Sequence, residues 1–563
     1  MMKKIIMMAA VAVATMPLAA QETYENAKIA QEDLNGTARY VGMGGAMEAL
    51  GADISVIGTN PAGIGLFRKS NVSLSFGLVS QDGVSNAVGG NKTNASFDQV
   101  GFVYSTRSGK NSFLNLAFNF HKSRNFDMIL SAAAPLQNAS LNKLTWAKGV
   151  NELVYPQQNG VPMVNRDADG NFLGYNHQPD YSEYPYYSCN QIDDLLANGY
   201  NYTQGGEWTY DPENYDPSQA DKYYYQFDRA HKGYIGEYDF NISGNINNRV
   251  YLGLTVGIHD VHYKHYSEYT DQLLIRYKDE RGNWVENPYG LTVADTREIK
   301  GTGFDVKAGI IFRPVETSPF RIGLSVATPT FYELRTSNYT TISDSDGNAM
   351  DSHSVADVNN GRCNYKFKLN TPWKFGLSLG HTIGTQVALG LSYEYADYGS
   401  IDSRNITGEH YDYWTDSYST DSESDKVMNA HTERTLKGVH TLKLGVEYKP
   451  TKDVALRAGY NYLSSVYDKD GYKDGTLQSP GTYVASATDF TNWEDTHRLT
   501  LGAGYTYDKF NISLAYQYAT TSGKFYPFMS YTDANAAQFD NIAEGVKVNN
   551  NRHQLLLTLG YTF

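Results

Sequence analysis

The last nine residues, Leu555-Leu556-Leu557-Thr558-Leu559-Gly560-Tyr561-Thr562-Phe563, constrain the fold more than any other stretch. In an extended strand successive side chains point to opposite faces. Leu555, Leu557, Leu559, Tyr561 and Phe563 therefore share one face, and Leu556, Thr558, Gly560 and Thr562 share the other. So regular an apolar face has to be covered, by a second layer in a soluble sheet or by lipid around a membrane barrel. A chain ending on an aromatic ring after such a strand is expected to be a bacterial outer-membrane barrel whose final strand closes the sheet. Phe563 is then also the expected contact with the barrel-insertion machinery.

The other end leads to the same expectation. Met1-Met2-Lys3-Lys4 is basic, Ile5 to Leu18 is apolar, and Ala19-Ala20 precedes Gln21-Glu22. This order predicts a secretory signal peptide over 1–20, cleaved after Ala20. No Cys follows the cut, so lipoprotein processing is not expected. Beyond it no apolar run approaches the roughly 18–20 residues that a spanning helix needs, which excludes a helical membrane protein.

Composition separates the remaining classes. Gly 51, Tyr 46 and 13% aromatic residues, with 41% hydrophobic residues overall, fit a barrel with one apolar face, aromatic girdles and polar loops. Losing Lys3 and Lys4 takes the formal charge from -14 to -16, which disfavours nucleic acid as a partner. Cys189 and Cys363 both stand in polar loop sequence, and their spacing does not fix whether they pair.

Period-two stretches bounded by turn residues occur near 70–79, 97–107, 111–121, 234–246, 249–266, 302–313, 320–334, 364–384, 385–398, 435–449, 453–465, 496–507, 510–519 and 551–563. They number fourteen, and short and long connections alternate, the longest over about 122–233. The expected fold is all-β, a transmembrane antiparallel β-barrel of about 14 strands over 70–563. Phe240, Ile242, Leu252, Leu254, Val256, Ile258, Val306, Ile310, Leu389, Leu391, Leu442, Leu444, Val446, Leu499, Leu501, Ile512 and Leu514 would face lipid. Charges on the alternate face would line the lumen, among them Asp305, Lys307, Lys374, Glu394, Lys443, Arg457 and Arg498. An Arg or Lys facing mid-bilayer lipid would cost about 2–4 kcal/mol. Tyr448, Tyr505, Tyr507, Tyr561 and Phe563 would form one aromatic girdle, and Tyr263, Tyr395, Tyr462 and Tyr518 the other.

A fourteen-stranded bore is wider than side chains alone fill, so an open pore or an internal plug is expected. Residues 21–69 offer the plug, an N-terminal hatch rich in small residues. Its candidate gating positions are Gly44, Gly45, Asp53, Asn60, Pro61, Ala62 and Gly63. Gly44-Gly45-Ala46, Asp53 and Asn60-Pro61-Ala62-Gly63 just before the first strand resemble the FadL/TodX-type outer-membrane transporters of long-chain fatty acids and hydrocarbons. Tyr393-Glu394-Tyr395-Ala396-Asp397-Tyr398 and Arg457-Ala458-Gly459-Tyr460-Asn461-Tyr462 resemble strands of that family. The likeness is specific over about 36–78 and a matter of pattern elsewhere, and the 122–233 loop is longer and richer in Tyr than the family's. The resemblance implies capture of an apolar ligand by extracellular loops, passage to a pocket in the barrel, and lateral exit past a kinked third strand when the hatch moves. That strand would be Asn111 to His121, with Asn115, Asn119 and His121 facing inward.

Other motifs have plainer readings. Gly376-Leu377-Ser378-Leu379-Gly380 matches a nucleophile elbow, but it lies in an alternating strand without the strand–turn–helix setting such a serine needs. No catalytic residue is therefore assigned. Asp167-Ala168-Asp169-Gly170-Asn171, Asp344-Ser345-Asp346-Gly347-Asn348 and Asp468-Lys469-Asp470-Gly471 lack the spacing of a calcium loop and read as turns. His259, His262 and His265 alternate faces and cannot converge as a trio, so no metal is expected. No cofactor is expected either. Tyr181, Tyr184, Tyr186, Tyr187 and Tyr223-Tyr224-Tyr225 read as rings packing a loop cap, with a ligand or partner surface as the alternative.

The chain thus reads as a multi-pass protein of a Gram-negative outer membrane. It would carry hydrophobic small molecules such as long-chain fatty acids by passive diffusion, with the surrounding lipids and the insertion machinery as its other partners. The alternatives are a haem-binding outer-membrane receptor and a surface adhesin using the Tyr-rich loops. It is not expected to be an enzyme.

Overall fold

The computed structural model of the chain describes residues 22–136, 224–278, 284–344, 363–413, 417–474, 488–532 and 540–563, with residue 281 and short pieces between 139 and 175. The expected signal peptide over 1–20, Cys189, the Tyr181–Tyr187 run, Tyr223 and the Asp167–Asn171 turn lie outside the described residues.

Fourteen antiparallel strands form one closed barrel. They are β1 (Asn71–Asp82), β2 (Thr93–Arg107), β3 (Phe113–Asn125, resuming at Met128–Pro135), β4 (Tyr224–Ile246), β5 (Val250–Lys278), β6 (Trp284–Phe312) and β7 (Arg321–Ala327 and Phe331–Asp344). Then follow β8 (Cys363–Asn370 and Lys374–Ile383), β9 (Val387–Asp397 and Asp402–Asp412), β10 (Ser417–Ser424 and Gly438–Tyr448), β11 (Val454–Leu463), β12 (Phe490–Tyr507), β13 (Phe510–Tyr526) and β14 (Val546–Thr562). Each strand pairs with the next. β14 pairs back onto β1 from Asn71↔Thr562 to Asp82↔Asn551, which closes the sheet.

Alternation decides the two faces. Phe240, Ile242, Leu252, Leu254, Val256, Ile258, Leu499, Leu501, Leu555, Leu557 and Leu559 are exposed on the outside, while their neighbours Asp239, Asn241, Thr255, Thr500, Leu556 and Thr558 are buried on the inside. An apolar belt running around a closed sheet is a surface that lipid covers. The barrel is therefore transmembrane.

One rim carries the short turns. At Asn247-Asn248 both residues take positive φ, 53° and 55°, as a tight two-residue hairpin turn requires. Tyr448, Tyr505, Tyr507 and Phe563 are exposed at this rim. The girdle towards the long connections is built from repeats. Tyr393 and Tyr395 bracket His440, Tyr460 and Tyr462 bracket His497, and Tyr516 and Tyr518 bracket His553. In each bracket the first Tyr hydroxyl lies 2.7 Å from His Nδ1. Tyr263 departs from the expected girdle. It faces inward, and Lys28 Nζ donates to its hydroxyl at 3.0 Å.

Several strands outrun their expected ends. β3 continues to Pro135 and β4 begins at Tyr224, so the long connection spans 136–223 rather than 122–233. Tyr225, read as a loop residue, is a buried strand residue stacked on Tyr269. Cys363 opens β8 instead of lying in a loop. The single strands expected over 320–334 and 364–384 are each interrupted, at Thr328-Pro329-Thr330 and Thr371-Pro372-Trp373. Proline cannot donate to a ladder. There Thr330 N donates to Thr371 Oγ1 at 2.8 Å instead.

The N-terminal segment lies inside the sheet. It comprises helices α1 (Thr23–Ala30) and α2 (Ala38–Gly42) and 3-10 turns over Ile54–Gly58 and Pro61–Leu66. Met43, Met47, Ile54, Val56 and Ile57 pack with Val103, Ala117, Ala515 and Leu556 of the wall. Wall glycines permit the close approach. A Cβ on Gly253 would run into the Pro61 backbone, one on Gly459 into Gly44, and one on Gly390 into the Ala46 carbonyl. Towards the long connections α1 meets helix α3 (Lys426–Thr435), which interrupts β10. There Thr23 Oγ1 bonds to His431 Nδ1 at 2.8 Å and to Thr432 Oγ1 at 2.9 Å.

Candidate functional site

The wall is incomplete at β3. The β2–β3 ladder runs from Arg107↔Phe113 to Gln99↔His121 and stops there, whereas β2 continues beside β1 to Thr93. Beyond His121 the β3–β4 register shifts at Lys122/Arg124, and β3 breaks off over Phe126 and Asp127. When β3 resumes it lies near the end of β1, where Gln81 donates to Ile129 O and accepts from Ile129 N, both at 2.8 Å. The opposing strand bends too, with Gly233 at φ 107°, its N–H donating to Asp127 Oδ1 at 3.2 Å. A gap in the ladder is left, bordered by Ser96 and Asp98 on one side and Lys122 and Arg124 on the other.

The N-terminal segment fills this gap. Asp33 N donates to Ser123 O at 2.7 Å, and the Asp33 carboxylate accepts from Asn125 N at 2.9 Å and pairs with Arg124 at 3.0 Å. Asn35 Nδ2 donates to Asp98 Oδ1 at 3.0 Å and to Lys122 O at 3.1 Å. Buried main-chain groups need partners, and here Asp33 and Asn35 supply what β2 withdraws. Burial alone would push the Asp33 carboxyl up, but Arg124, Arg552 and Arg498 outweigh it and hold it below its usual range.

Behind the gap lies a cavity of about 140 Å³. Lys28, Lys122, Arg124, Arg498 and Arg552 face Asp33 and Asp98 across it, an excess of cations, while Val79, Phe126, Met128, Leu463 and Trp493 supply apolar wall. Tyr467 and Trp493 also border a larger groove of about 980 Å³ on the side of the long connections, with Tyr472, Phe490, Tyr526 and Ile542.

The seven wall charges singled out in the sequence all face the lumen, and none is left unpaired. Lys307 pairs with Asp305 at 3.2 Å, and Lys443 with Glu48 at 2.9 Å and Glu394 at 3.9 Å. Arg457 pairs with Glu447 at 2.7 Å, Arg498 with Asp33 at 3.8 Å, and Lys374 with Glu32. Glu32, Asp33 and Glu48 belong to the N-terminal segment, as does Arg39, which joins Glu447 at 3.0 Å. These partners were not singled out from the sequence, nor were Arg124, Arg552 and Asn35.

The expected hatch residues hold turns. Gly44 and Gly45 take positive φ, 63° and 81°. Asp53 caps Ile54–Gly58, accepting from Ser55 N at 3.0 Å and from Thr37 Oγ1 at 2.8 Å. Asn60, fully buried, caps Pro61–Leu66 by accepting from Ala62 N at 3.2 Å, with Pro61 at the first helical position. Ala62 is fully buried, and the Gly63 carbonyl accepts from Ala52 N at 3.1 Å. Ser378 lies buried within β8, far from the geometry of an exposed nucleophile. Asp468 to Gly471 forms a turn closed by Gly471 N donating to Asp468 O at 3.1 Å. His259 and His265 face the lumen, while His262, more exposed, bonds to Asp260 at 2.8 Å.

No protein-family model matches the chain, and no curated protein sequence matches it. Among solved structures, a Pseudomonas aeruginosa FadL homologue aligns over 95% of this chain and 99% of its own at 12% identity and a TM-score of 0.46. The P. putida toluene transporter TodX aligns over 94% and 99% at 11% identity and a TM-score of 0.44. The Ralstonia pickettii toluene transporter TbuX aligns over 94% and 99% at 11% identity and a TM-score of 0.42.

Proposed function

We propose that the chain carries hydrophobic small molecules with an anionic head, long-chain fatty acids being the type, across the outer membrane by passive diffusion. The ladder gap between β2 and β3, backed by a cation-rich cavity and filled by Asp33 and Asn35, is the observation that carries this reading. The aromatic groove at the extracellular mouth offers first capture. Arg124, Arg498 and Arg552 suit a carboxylate, while Phe126, Met128 and Trp493 suit a tail. Withdrawal of the N-terminal segment would free the β3 edge and let the ligand leave sideways into lipid. A hydrocarbon chain gains about 0.8 kcal/mol per CH₂ on leaving water, so no energy source is needed.

Uptake of a labelled long-chain fatty acid by cells lacking other such transporters tests the reading. Arg498→Ala with Arg552→Ala should lower that uptake several-fold while sparing an uncharged hydrocarbon probe. If the unmutated protein passes neither fatty acid, hydrocarbon nor haem, the transport reading fails and a surface-binding role replaces it.

A further inference from the structure

A second cluster of ionisable side chains inside the barrel has no part in that passage. His121 of β3, Glu237 and Asp239 of β4, His259 of β5 and Asp305 and Lys307 of β6 converge beneath Gly58 of the N-terminal segment. A Cβ on Gly58 would stand 3.6 Å from Glu237 Oε1 and 3.7 Å from both Asp239 Oδ2 and His121 Cε1, so bare backbone roofs the cluster. All but His121 are nearly fully buried. With the imidazoles neutral, three carboxylates face one ammonium, and buried charge requires compensation. The nearby Glu32 is already paired with Lys374.

Lys307 engages one oxygen of each acid: Glu237 Oε1, Asp239 Oδ1 at 3.2 Å and Asp305 Oδ1 at 3.2 Å. The remaining oxygens of Glu237 and Asp239 turn towards the imidazoles. Asp239 Oδ2, on a fully buried side chain, accepts no hydrogen bond. His121 Nδ1 stands 3.7 Å from it, and His121 Nε2 stands 3.7 Å from Glu237 Oε2. Both distances exceed a hydrogen bond. His259 meets Asp305 Oδ2 through Nε2 at 3.1 Å, which leaves Nδ1 facing Glu237 Oε2 at 3.8 Å. A carboxylate that fixes the far nitrogen of an imidazole is the usual support of a metal ligand. With one ligand atom taken from each, His121, Glu237 and Asp239 lie within 4.8 Å of one another, against about 3.3–3.5 Å between ligands on a tetrahedral ion with bonds of 2.0–2.1 Å, so the three must draw in to close on an ion.

We propose that His121, Glu237 and Asp239 bind a divalent transition-metal ion of the Zn²⁺ kind, with His259, held by Asp305, standing beside Glu237. The mixed imidazole and carboxylate set disfavours Ca²⁺ and Mg²⁺, which take oxygen ligands. His121 is the last β3 residue paired with β2, so the ion would tie the end of that ladder to β4.

The untagged full-length barrel, folded in detergent and stripped with a chelator, is titrated with Zn²⁺, and with Co²⁺ as a visible-absorbing probe. One equivalent should bind. His121→Gln and Asp239→Asn should each weaken binding at least tenfold, the lower end of what losing a supporting partner costs. Lys307→Met, which removes the competing cation, should tighten it. His262→Ala should change nothing. Heat-resistant migration reports folding of each variant, and the two weakening substitutions are independent of one another. Absence of binding, or binding unmoved by His121→Gln in a folded barrel, overturns the proposal. Neither result touches the transport reading, because metal binding is read without any lipid ligand.

Discussion

Asp33 ties the N-terminal segment to three consecutive residues of β3 at once, through Ser123 O, Asn125 N and the guanidinium of Arg124. Asp33→Ala would leave the Asn125 main-chain donor and the partly buried Arg124 short of a partner, a local loss of about 1–3 kcal/mol. The barrel ladder does not pass through this residue. The variant should therefore fold and keep heat-resistant migration while its passage of a labelled fatty acid rises several-fold. Glu25 makes a second point of attachment, for α1. Burial pushes its carboxyl up, but Lys28 and Arg297 outweigh that and hold it well below the usual range. A carboxyl lowered in the folded state stabilises fully above its unfolded pKa, about 4.3. That contribution is lost as pH falls through the lowered value. Docking of α1 should be intact at neutral pH and weaken only in strong acid, read as protease accessibility of the segment in detergent. Release that instead begins near neutral pH would contradict this assignment. Apart from Glu25 with Lys28, three residues apart on α1, none of these pairings was legible in the sequence. Asp33 and Arg498 stand hundreds of residues apart, and no local pattern announces an ion pair across the lumen.

Among the elements, the wall was legible where lipid enforces it. Leu499 and Leu501, or Leu555, Leu557 and Leu559, alternate strictly because one face meets hydrocarbon and the other does not. Above the belt both faces are polar, so Ser267, Glu268, Tyr269 and Thr270 on β5 show no such contrast, and the upper ends of β4 to β6 passed for loop. The breaks in β7 and β8 are written as Pro329 and Pro372. The break in β3 has no such mark, because Arg124-Asn125-Phe126-Asp127 contains neither Pro nor Gly. The repeat His-x-Leu-x-Leu at His440, His497 and His553 is also present in the sequence, and it marks the outer edge of the belt in three strands. Close packing between the N-terminal segment and the wall rests on strand glycines. Gly253→Val would drive a side chain into Pro61. It should displace Asn60-Pro61-Ala62 from the wall and change passage of an apolar probe while the barrel still inserts. Asn60→Ala with Pro61→Ala should act in the same direction. Unaltered passage in both would separate these residues from gating.

For the molecule as a whole, the belt and the lumen make opposite demands on the same substitution. Leu501→Arg places a charge against lipid and should cost about 2–4 kcal/mol of barrel stability, measured by denaturant unfolding in vesicles. Tags at Asp453 and Gly347 should differ on intact cells, with only the second labelled, because short turns face the periplasm. The gap between β2 and β3 is the proposed way out of the barrel. Lys122 Nζ donates to Ser96 Oγ across it at 2.8 Å, so Ser96→Cys with Lys122→Cys, in a background of Cys189→Ser and Cys363→Ser, allows a short reversible thiol cross-linker to staple it. With the staple formed, fatty-acid passage should fall at least tenfold and recover on reduction. Passage that continues unchanged through a fully stapled barrel would contradict lateral exit.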